Sequence, residues 1–308
     1  MKVKARPFLK WVGGKGQLLN QFVHYYPSDL RNRKIKKYTE PFLGGGAVFF
    51  EVMQRFDIES AYISDVNKDL VLAYWVIQQK PEQLVDFLEQ YQKTYDSTLQ
   101  EDRNELFLSV RQHFNQQRFE INYKKLSDNW ISRAAQLIFL NKTCFNGLYR
   151  TNSKGEFNVP YGKYPNPTIL DDPNIGAVSR ILQKAEINIA PYDACFDKVG
   201  SQSFVYFDPP YRPLTKTSSF TGYTGSGFSD QDQVKLANFF QKLDEEKGAK
   251  MMLSNSDPQN ENPNDQFFET IFPNFNFYKV SANRAINCKG EKRGAIKELV
   301  ITNYQSIM

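Results

Sequence analysis

Histidine and cysteine are scarce in this chain: its 308 residues include two of the first and three of the second. Cys144, Cys195 and Cys288 have no close spacing, which argues against a disulfide framework and for a reducing compartment. His24 and His113 cannot build a metal centre between them, so no metal is expected. No apolar run approaches the length of a bilayer span, and the opening "MKVKARPFLKWVGG" lacks the apolar core of a secretory signal. A cytoplasmic protein without membrane contact is expected. Two phosphate-cradling motifs are missing as well. Neither G-x-x-x-x-G-K-[ST] nor G-x-G-x-x-G occurs, which weighs against nucleoside triphosphates and against nicotinamide or flavin cofactors. A strong excess of one charge is also lacking. At a net +5 the whole-chain balance says little about polyanionic partners, although "RNRKIKK" (31–37) and "KGEKRGAIK" (289–297) are local basic clusters. Either cluster alone reads as a solvated face.

What is present is an ordinary globular composition, long enough for one large or two modest domains. Short β-rich runs alternate with turns and helical stretches from about 1 to 66 and again from about 186. They are "KKYTEPF", "AYISDV", "EINIAPY", "SFVYFDPPY", "KMMLSNS", "FYKVSA" and "KELVITNY". The pattern predicts an α/β fold, a doubly wound and mostly parallel seven-stranded sheet whose last two strands form an antiparallel edge. The middle, 67–185, reads differently. "NKDLVLAYWVIQQ", "PEQLVDFLEQYQKTY", "NELFLSVRQHFNQ" and "DNWISRAAQLIFLNK" carry apolar residues at helical spacing. "YRTNSKGEFNVPYGKY" then reads as a β-hairpin with an exposed Lys154-Gly155 tip. The expected organisation is a sheet domain over 1–66 and 186–308, with 67–185 inserted as a recognition domain and its hairpin at about 144–164.

Three stretches suggest a nucleoside site. In "PFLKWVGGKGQLL", Gly13 and Gly14 allow close backbone approach and a helix start is expected near Gly14 to Gln17. Lys15 offers a cation there and Trp11 a stacking face; a tight helix start with no ligand is the plainer reading. In "EPFLGGGAVFFEV" a strand ends, three glycines follow and an apolar helix begins. In "YISDVN", Asp65 ends the next strand about 20 residues on, where a carboxylate can accept from ribose hydroxyls. It can equally be an N-cap for the helix that follows. Together the three describe an adenosine-containing ligand without a large phosphate group, and S-adenosylmethionine fits.

"VYFDPPYRPL" supplies the chemistry. Proline cannot sit inside a ladder, so the strand ends at about Asp208 and projects a Pro-Pro-Tyr turn from its carboxyl end, where open α/β sheets bind ligands. The exocyclic amine of adenine is a poor nucleophile because its lone pair is delocalised into the ring. A carboxylate from Asp208 and the carbonyl of Pro209 can accept its two hydrogens and turn the lone pair toward an electrophilic methyl, while Tyr211 stacks on the base. A stiff turn that merely caps a strand is the alternative.

The chain resembles the Dam-type DNA adenine-N6 methyltransferases, almost end to end. The resemblance is carried by "FLKWVGGK", "EPFLGGGAVFF", "DVNKDL", "FNGLYRTNSKGEFNVPYGKY", "DPPYRPL", "FTGYTGSGFS" and "KELVITNY". It implies a Rossmann-like methyltransferase fold acting on double-stranded DNA with S-adenosylmethionine, in a bacterial or phage-encoded protein. It also implies that Trp11, Lys15, Phe42, Asp65 and Asp208 contact the cofactor, and that Asp208, Pro209 and Tyr211 hold a flipped adenine. By the same resemblance Arg150 reads a guanine edge, Phe145 wedges into the base stack, Leu148 and Pro160 pack on neighbouring bases, and Lys10 touches the first guanine of a GATC site. Family members often carry tyrosine at the wedge; from its residue type alone, Phe145 can equally be a core aromatic. Lys34, Lys36 and Lys37 suit phosphates. A separately acting restriction endonuclease is a conceivable partner, and no obligate protein partner is evident. Three alternatives remain: the same chemistry at another DNA sequence, a methyltransferase for protein glutamine or RNA, and a silent DNA-binding regulator. Asp208 argues against the glutamine enzymes, which carry Asn there, and against cytosine-N4 chemistry, which usually accompanies Ser.

Overall fold

Every residue of "SFVYF", Ser203–Phe207, is buried, and such a run belongs in the middle of a sheet covered on both faces. The computed structural model describes residues 3–213, 228–283 and 295–306. In it this strand, β4, lies between β1 (Lys37–Glu40) and β5 (Lys250–Ser256) and is parallel to both. β1 also pairs in parallel with β2 (Ser60–Asp65). β7 (Ala295–Thr302) runs antiparallel to β5 and to the edge strand β6 (Asn276–Asn283). With β3 (Ala185–Ile189) the order is β3-β2-β1-β4-β5-β7-β6. The seven expected strands and the antiparallel edge are all present. From β1 the chain proceeds outward to β2, and from β4 outward the other way to β5, so the order reverses between β1 and β4. That switch point, at the strands' carboxyl ends, is where this architecture leaves a crevice.

The helices in chain order are α1 (Leu19–Phe22), α2 (Ser28–Arg31), α3 (Ala47–Arg55), α4 (Lys68–Gln79), α5 (Pro81–Ser97), α6 (Arg103–Gln117), α7 (Asp128–Thr143), α8 (Asp172–Leu182), α9 (Asp230–Lys247) and α10 (Phe267–Ile271). Among the described residues, no helix is long and apolar enough to cross a membrane. Most of "FTGYTGSGFS", the cluster's residues 289–294 and Cys288 lie outside the described residues.

Contacts divide the chain into two units. The first comprises Lys15–Leu43, Glu51–Ser64 and Ala190–Met308. Alternation along β4 sorts its core: Val205 and Phe207 pack with Leu236 and Phe240 of α9, while Phe204 and Tyr206 meet Tyr26 and Phe22. α9 opens on a capping box between Ser229 and Asp232, which satisfies two of its otherwise orphaned donors. The basic run 31–37 is partly neutralised here, since Lys36 pairs with Asp57 at 3.0 Å and Glu59 at 3.3 Å. Lys36 is therefore a poor phosphate ligand.

The second unit comprises Met1–Gly14, Gly44–Phe50 and Asp65–Ile189. α4 packs on α7, with Trp75 and Trp130 stacked at 5.1 Å. Arg133 of α7, 2% exposed, forms a two-pronged ion pair with Asp69 of α4 at 2.6 and 2.9 Å. After α7 the chain turns through Phe145–Gly147 into two arms that meet at two antiparallel bridges, Cys144–Tyr161 and Thr151–Phe157. They form no continuous ladder, because backbone groups of the second arm bond to α6 instead. The Phe157 N–H donates to Asn115 Oδ1, the Phe157 carbonyl accepts from Asn115 Nδ2, and the Val159 carbonyl accepts from Arg111.

Candidate active site

The turn after β4 is held from many sides. Asp208 Oδ1 accepts from Lys15 Nζ at 2.7 Å and from the Ser254 hydroxyl at 3.1 Å. Among the described residues, none donates to Oδ2 or to the Pro209 carbonyl. The Pro210 carbonyl accepts from Gln233 at 3.0 Å. The Arg212 N–H donates to Asn255 Oδ1 and its carbonyl accepts from Ser256 Oγ, while its guanidinium pairs with Asp230 and Asp265. The Tyr211 hydroxyl donates to Glu298 Oε2 at 2.6 Å, and Lys15 Nζ lies 4.5 Å from the centre of the Tyr211 ring. Burial raises the Asp208 carboxyl, with the Lys15 ammonium as the largest opposing influence. Burial also holds the Tyr211 phenol well above its ordinary range, with Asp208 and Glu298 adding to it, so it stays a neutral donor. Phe42 lies elsewhere in the same unit, stacked on Tyr192 at 5.4 Å. The expected helix start at Gly14 to Gln17 is a single 3₁₀ turn, Lys15–Gln17, before the four-residue α1.

In the second unit the glycine turn and Asp65 are tied together. The Gly44 N–H donates to Asp65 Oδ2 at 3.0 Å and the Asn67 N–H to Oδ1 at 2.9 Å. The cap of α4 is Asn67, which accepts from Asp69 and Leu70, so Asp65 is not the N-cap. Gly44 has φ +48° and its missing Cβ would stand 2.9 Å from Trp11 Cδ1, so no other residue fits under the indole. Burial raises the Asp65 carboxyl, against the lowering effect of the amides of Asn67, Gly44 and Val66.

The DNA-reading candidates cluster on the turn after α7. Asn141, 1% exposed, accepts from the Lys10 N–H and donates to the carbonyls of Lys10 and Gly147, at 2.8–2.9 Å. A Cβ at Gly147, which has φ +62°, would lie 2.5 Å from the Lys10 side chain. The Phe145 N–H donates to the Pro160 carbonyl at 2.8 Å. Phe145 itself is 51% exposed, which removes the core reading of that residue. Arg150 and Pro160 are exposed and Leu148 is half-buried. Asn158 accepts from Arg150 Nε at 2.7 Å and Nη2 at 3.3 Å; among the described residues none accepts from Nη1. Lys10 Nζ lies 4.6 Å from the centre of the Tyr164 ring.

Comparison with known proteins decides the family. The profile of the D12 class N6 adenine-specific DNA methyltransferases matches residues 11–286. The chain belongs to that family. It is 47% identical over 303 residues to the type II methyltransferase M.MjaIII of Methanocaldococcus jannaschii, covering 98% of this chain and 100% of the relative. It is 39% identical to the type II methyltransferase M1.LlaDCHI of Lactococcus lactis subsp. cremoris, covering 98% and 97%. It is 31% identical to a DNA adenine methylase of Vibrio cholerae, covering 96% and 95%. The methyltransferase uses S-adenosylmethionine to methylate N6 of adenine in double-stranded DNA, so the silent-regulator, protein-glutamine and RNA readings fall away.

The residues present in the enzyme fit that cofactor. Asp65 is oriented by two amides, and a carboxylate has lone pairs left over for hydroxyl donors. If it holds a ribose hydroxyl, Asp65→Ala is expected to weaken cofactor binding by roughly 1–3 kcal/mol. Calorimetry showing unchanged affinity would reduce Asp65 to a brace for the glycine turn. Sequence reasoning missed Ser254, Asn255, Ser256, Gln233, Glu298 and Asn141. The available signal was polar residues ending an apolar strand in "MMLSNS" and one asparagine inside the apolar run "LIFLNK".

Proposed function

We propose that this methyltransferase acts on the adenine of GATC, drawing that base out of the duplex and methylating it by direct in-line attack. The observation that carries the reading is Phe145, a large apolar side chain half exposed on a turn pinned by Asn141 and Pro160. An aromatic ring held there is suited to fill the gap that a departing base leaves in the stack. Arg150 and Lys10, both exposed, offer donors for guanine edges, with Leu148 and Pro160 against neighbouring bases. On this reading 67–185 is the target-recognition domain, its hairpin spans about 144–164, and 1–66 with 186–308 form the catalytic domain. Asp208 Oδ2 and the Pro209 carbonyl accept the two amine hydrogens of the flipped adenine, and Tyr211 stacks on its ring. Asp65 holds the ribose, and Trp11, Lys15 and Phe42 line the rest of the cofactor site. S-adenosylmethionine, when bound, supplies a methyl group made electrophilic by its sulfonium. The chain contributes orientation and a polar surround fixed in advance. Two relatives are named type II methyltransferases, which supports extending the proposal to a separately acting endonuclease of the same specificity.

Sequencing modified bases in DNA exposed to the enzyme tests the target directly, and such DNA should resist an endonuclease blocked by adenine methylation at GATC. Arg150→Ala is expected to lose about 1–3 kcal/mol of discrimination at one base pair. Replacing Lys34 and Lys37 by alanine should weaken binding to all duplexes alike and flatten the salt dependence. Should Arg150→Ala lower activity equally on every duplex, the residue is a phosphate contact. Should the wild type show no preference for GATC, the target assignment falls.

A further inference from the structure

Tyr149 sits between Leu148 and Arg150, yet its side-chain contacts run to other elements. Its ring stacks on Trp11, with centroids 5.6 Å apart and planes 26° from parallel, and meets Phe157 edge-on at 5.9 Å. Its hydroxyl donates to Asp69 Oδ2 at 3.3 Å. Burial, with Asp69 next in effect, holds this phenol well above its ordinary range, so it remains a donor. Asp69 is itself fixed by Arg133 and by the Tyr123 hydroxyl at 2.7 Å. Trp11 fills the space over Gly44, and the Gly44 N–H holds Asp65, four residues before Asp69 in the chain. The contacts therefore close a ring: Asp65 to Gly44, Gly44 to Trp11, Trp11 to Tyr149, Tyr149 to Asp69, and back along the chain to Asp65. Every member belongs to one unit.

We infer that Tyr149 is a positioning residue for two tasks at once, seating Trp11 for the cofactor and setting the backbone that presents Leu148 and Arg150 to DNA. The inference rests on the roles given to Trp11, Leu148 and Arg150 under the proposed function. A residue serving one task moves one parameter; Tyr149 moves both. A merely structural residue lowers the active fraction, and hence kcat, without touching either affinity or discrimination.

The test uses the full-length enzyme with S-adenosylmethionine and two duplexes, one containing GATC and one differing from it at a single base. Cofactor Kd without DNA is read by calorimetry, and discrimination as the ratio of kcat/KM on the two duplexes. Trp11→Ala should weaken the cofactor alone and Arg150→Ala should lower discrimination alone. Tyr149→Leu, which keeps bulk and loses the stacked ring, should do both, by about tenfold each. Tyr149→Phe keeps the ring and loses only the long hydrogen bond, so both shifts should shrink to about threefold or less. If Tyr149→Leu unfolds, Tyr149→Met takes its place with the same expectation, and a folded variant that shifts only one of the two parameters, or neither, overturns the inference. So does a Tyr149→Leu enzyme that changes in kcat alone. If Trp11→Ala leaves cofactor affinity intact or Arg150→Ala leaves discrimination intact, the roles assigned to those residues fail and the inference fails with them.

Discussion

Asp208→Ala is expected to lower the rate of methyl transfer by roughly two to three orders of magnitude or more, the scale of losing a group that both orients and polarises the nucleophile. Under the proposed function the carboxylate has two separate jobs: Oδ1 is engaged by Lys15 and Ser254, and Oδ2 accepts from the adenine amine. Alanine also takes the carboxylate away from Lys15, which is only 4% exposed, so some stability is lost along with activity. Asp208→Asn separates the two effects. It keeps an acceptor for Lys15 and Ser254 and much of the fold, but removes the charge that draws on the amine hydrogens. Single-turnover methylation measured on both variants, with circular dichroism to check folding, tells them apart. Near-normal turnover in a folded Asp208→Asn protein would end the proposed role of the charge. The pH dependence has a definite sign. The carboxyl is raised by burial despite Lys15, and only its ionised form accepts both contacts. Activity should therefore fall, as pH drops, at a higher pH than an ordinary aspartate would impose.

The parts of this site that sequence made legible are local ones. An apolar run that meets two prolines must stop, so the end of β4 and the projection of Asp208 followed from a handful of residues. The seven strands were readable for the same reason. The partners of the turn were not. Ser254, Gln233 and Glu298 lie between 23 and 87 residues from the atoms they bond, and no local rule pairs residues across such separations. α8 went unread because Gly176 and the polar residues Asn174 and Ser179, both buried, interrupt its apolar face. Asp65 was ambiguous between cap and ligand because a carboxylate at a strand end suits both; the structure removes the cap reading by giving the cap to Asn67, two residues on. Phe145 was ambiguous for a different reason. Residue type records hydrophobicity, while exposure depends on Asn141, Gly147 and Pro160 fixing the turn so that the ring stays outside the core.

The unit that contains Asp65–Ile189 should depend for its stability on one ion pair, and Asp69→Ala is expected to cost about 3–5 kcal/mol. Arg133 is 2% exposed, donates twice to Asp69, donates to the Phe114 carbonyl at 2.8 Å and rests 4.0 Å from the Phe114 ring centre. Without Asp69 the guanidinium keeps its desolvation cost and loses its counterion, and the hydroxyls of Tyr123 and Tyr149 lose their acceptor. The pair need not be better than an apolar contact for this to hold, because breaking one partner is far more damaging than replacing both. The double variant Asp69→Ala with Arg133→Met should accordingly recover part of the loss, though not the two stranded hydroxyls. Urea unfolding of the wild type, the single variant and the double variant measures this. A single variant that loses less than about 1 kcal/mol would mean that the pair is solvated as a surface pair is. A double variant less stable than the single one would mean that Arg133 stabilises α7 chiefly through Phe114, with Asp69 incidental.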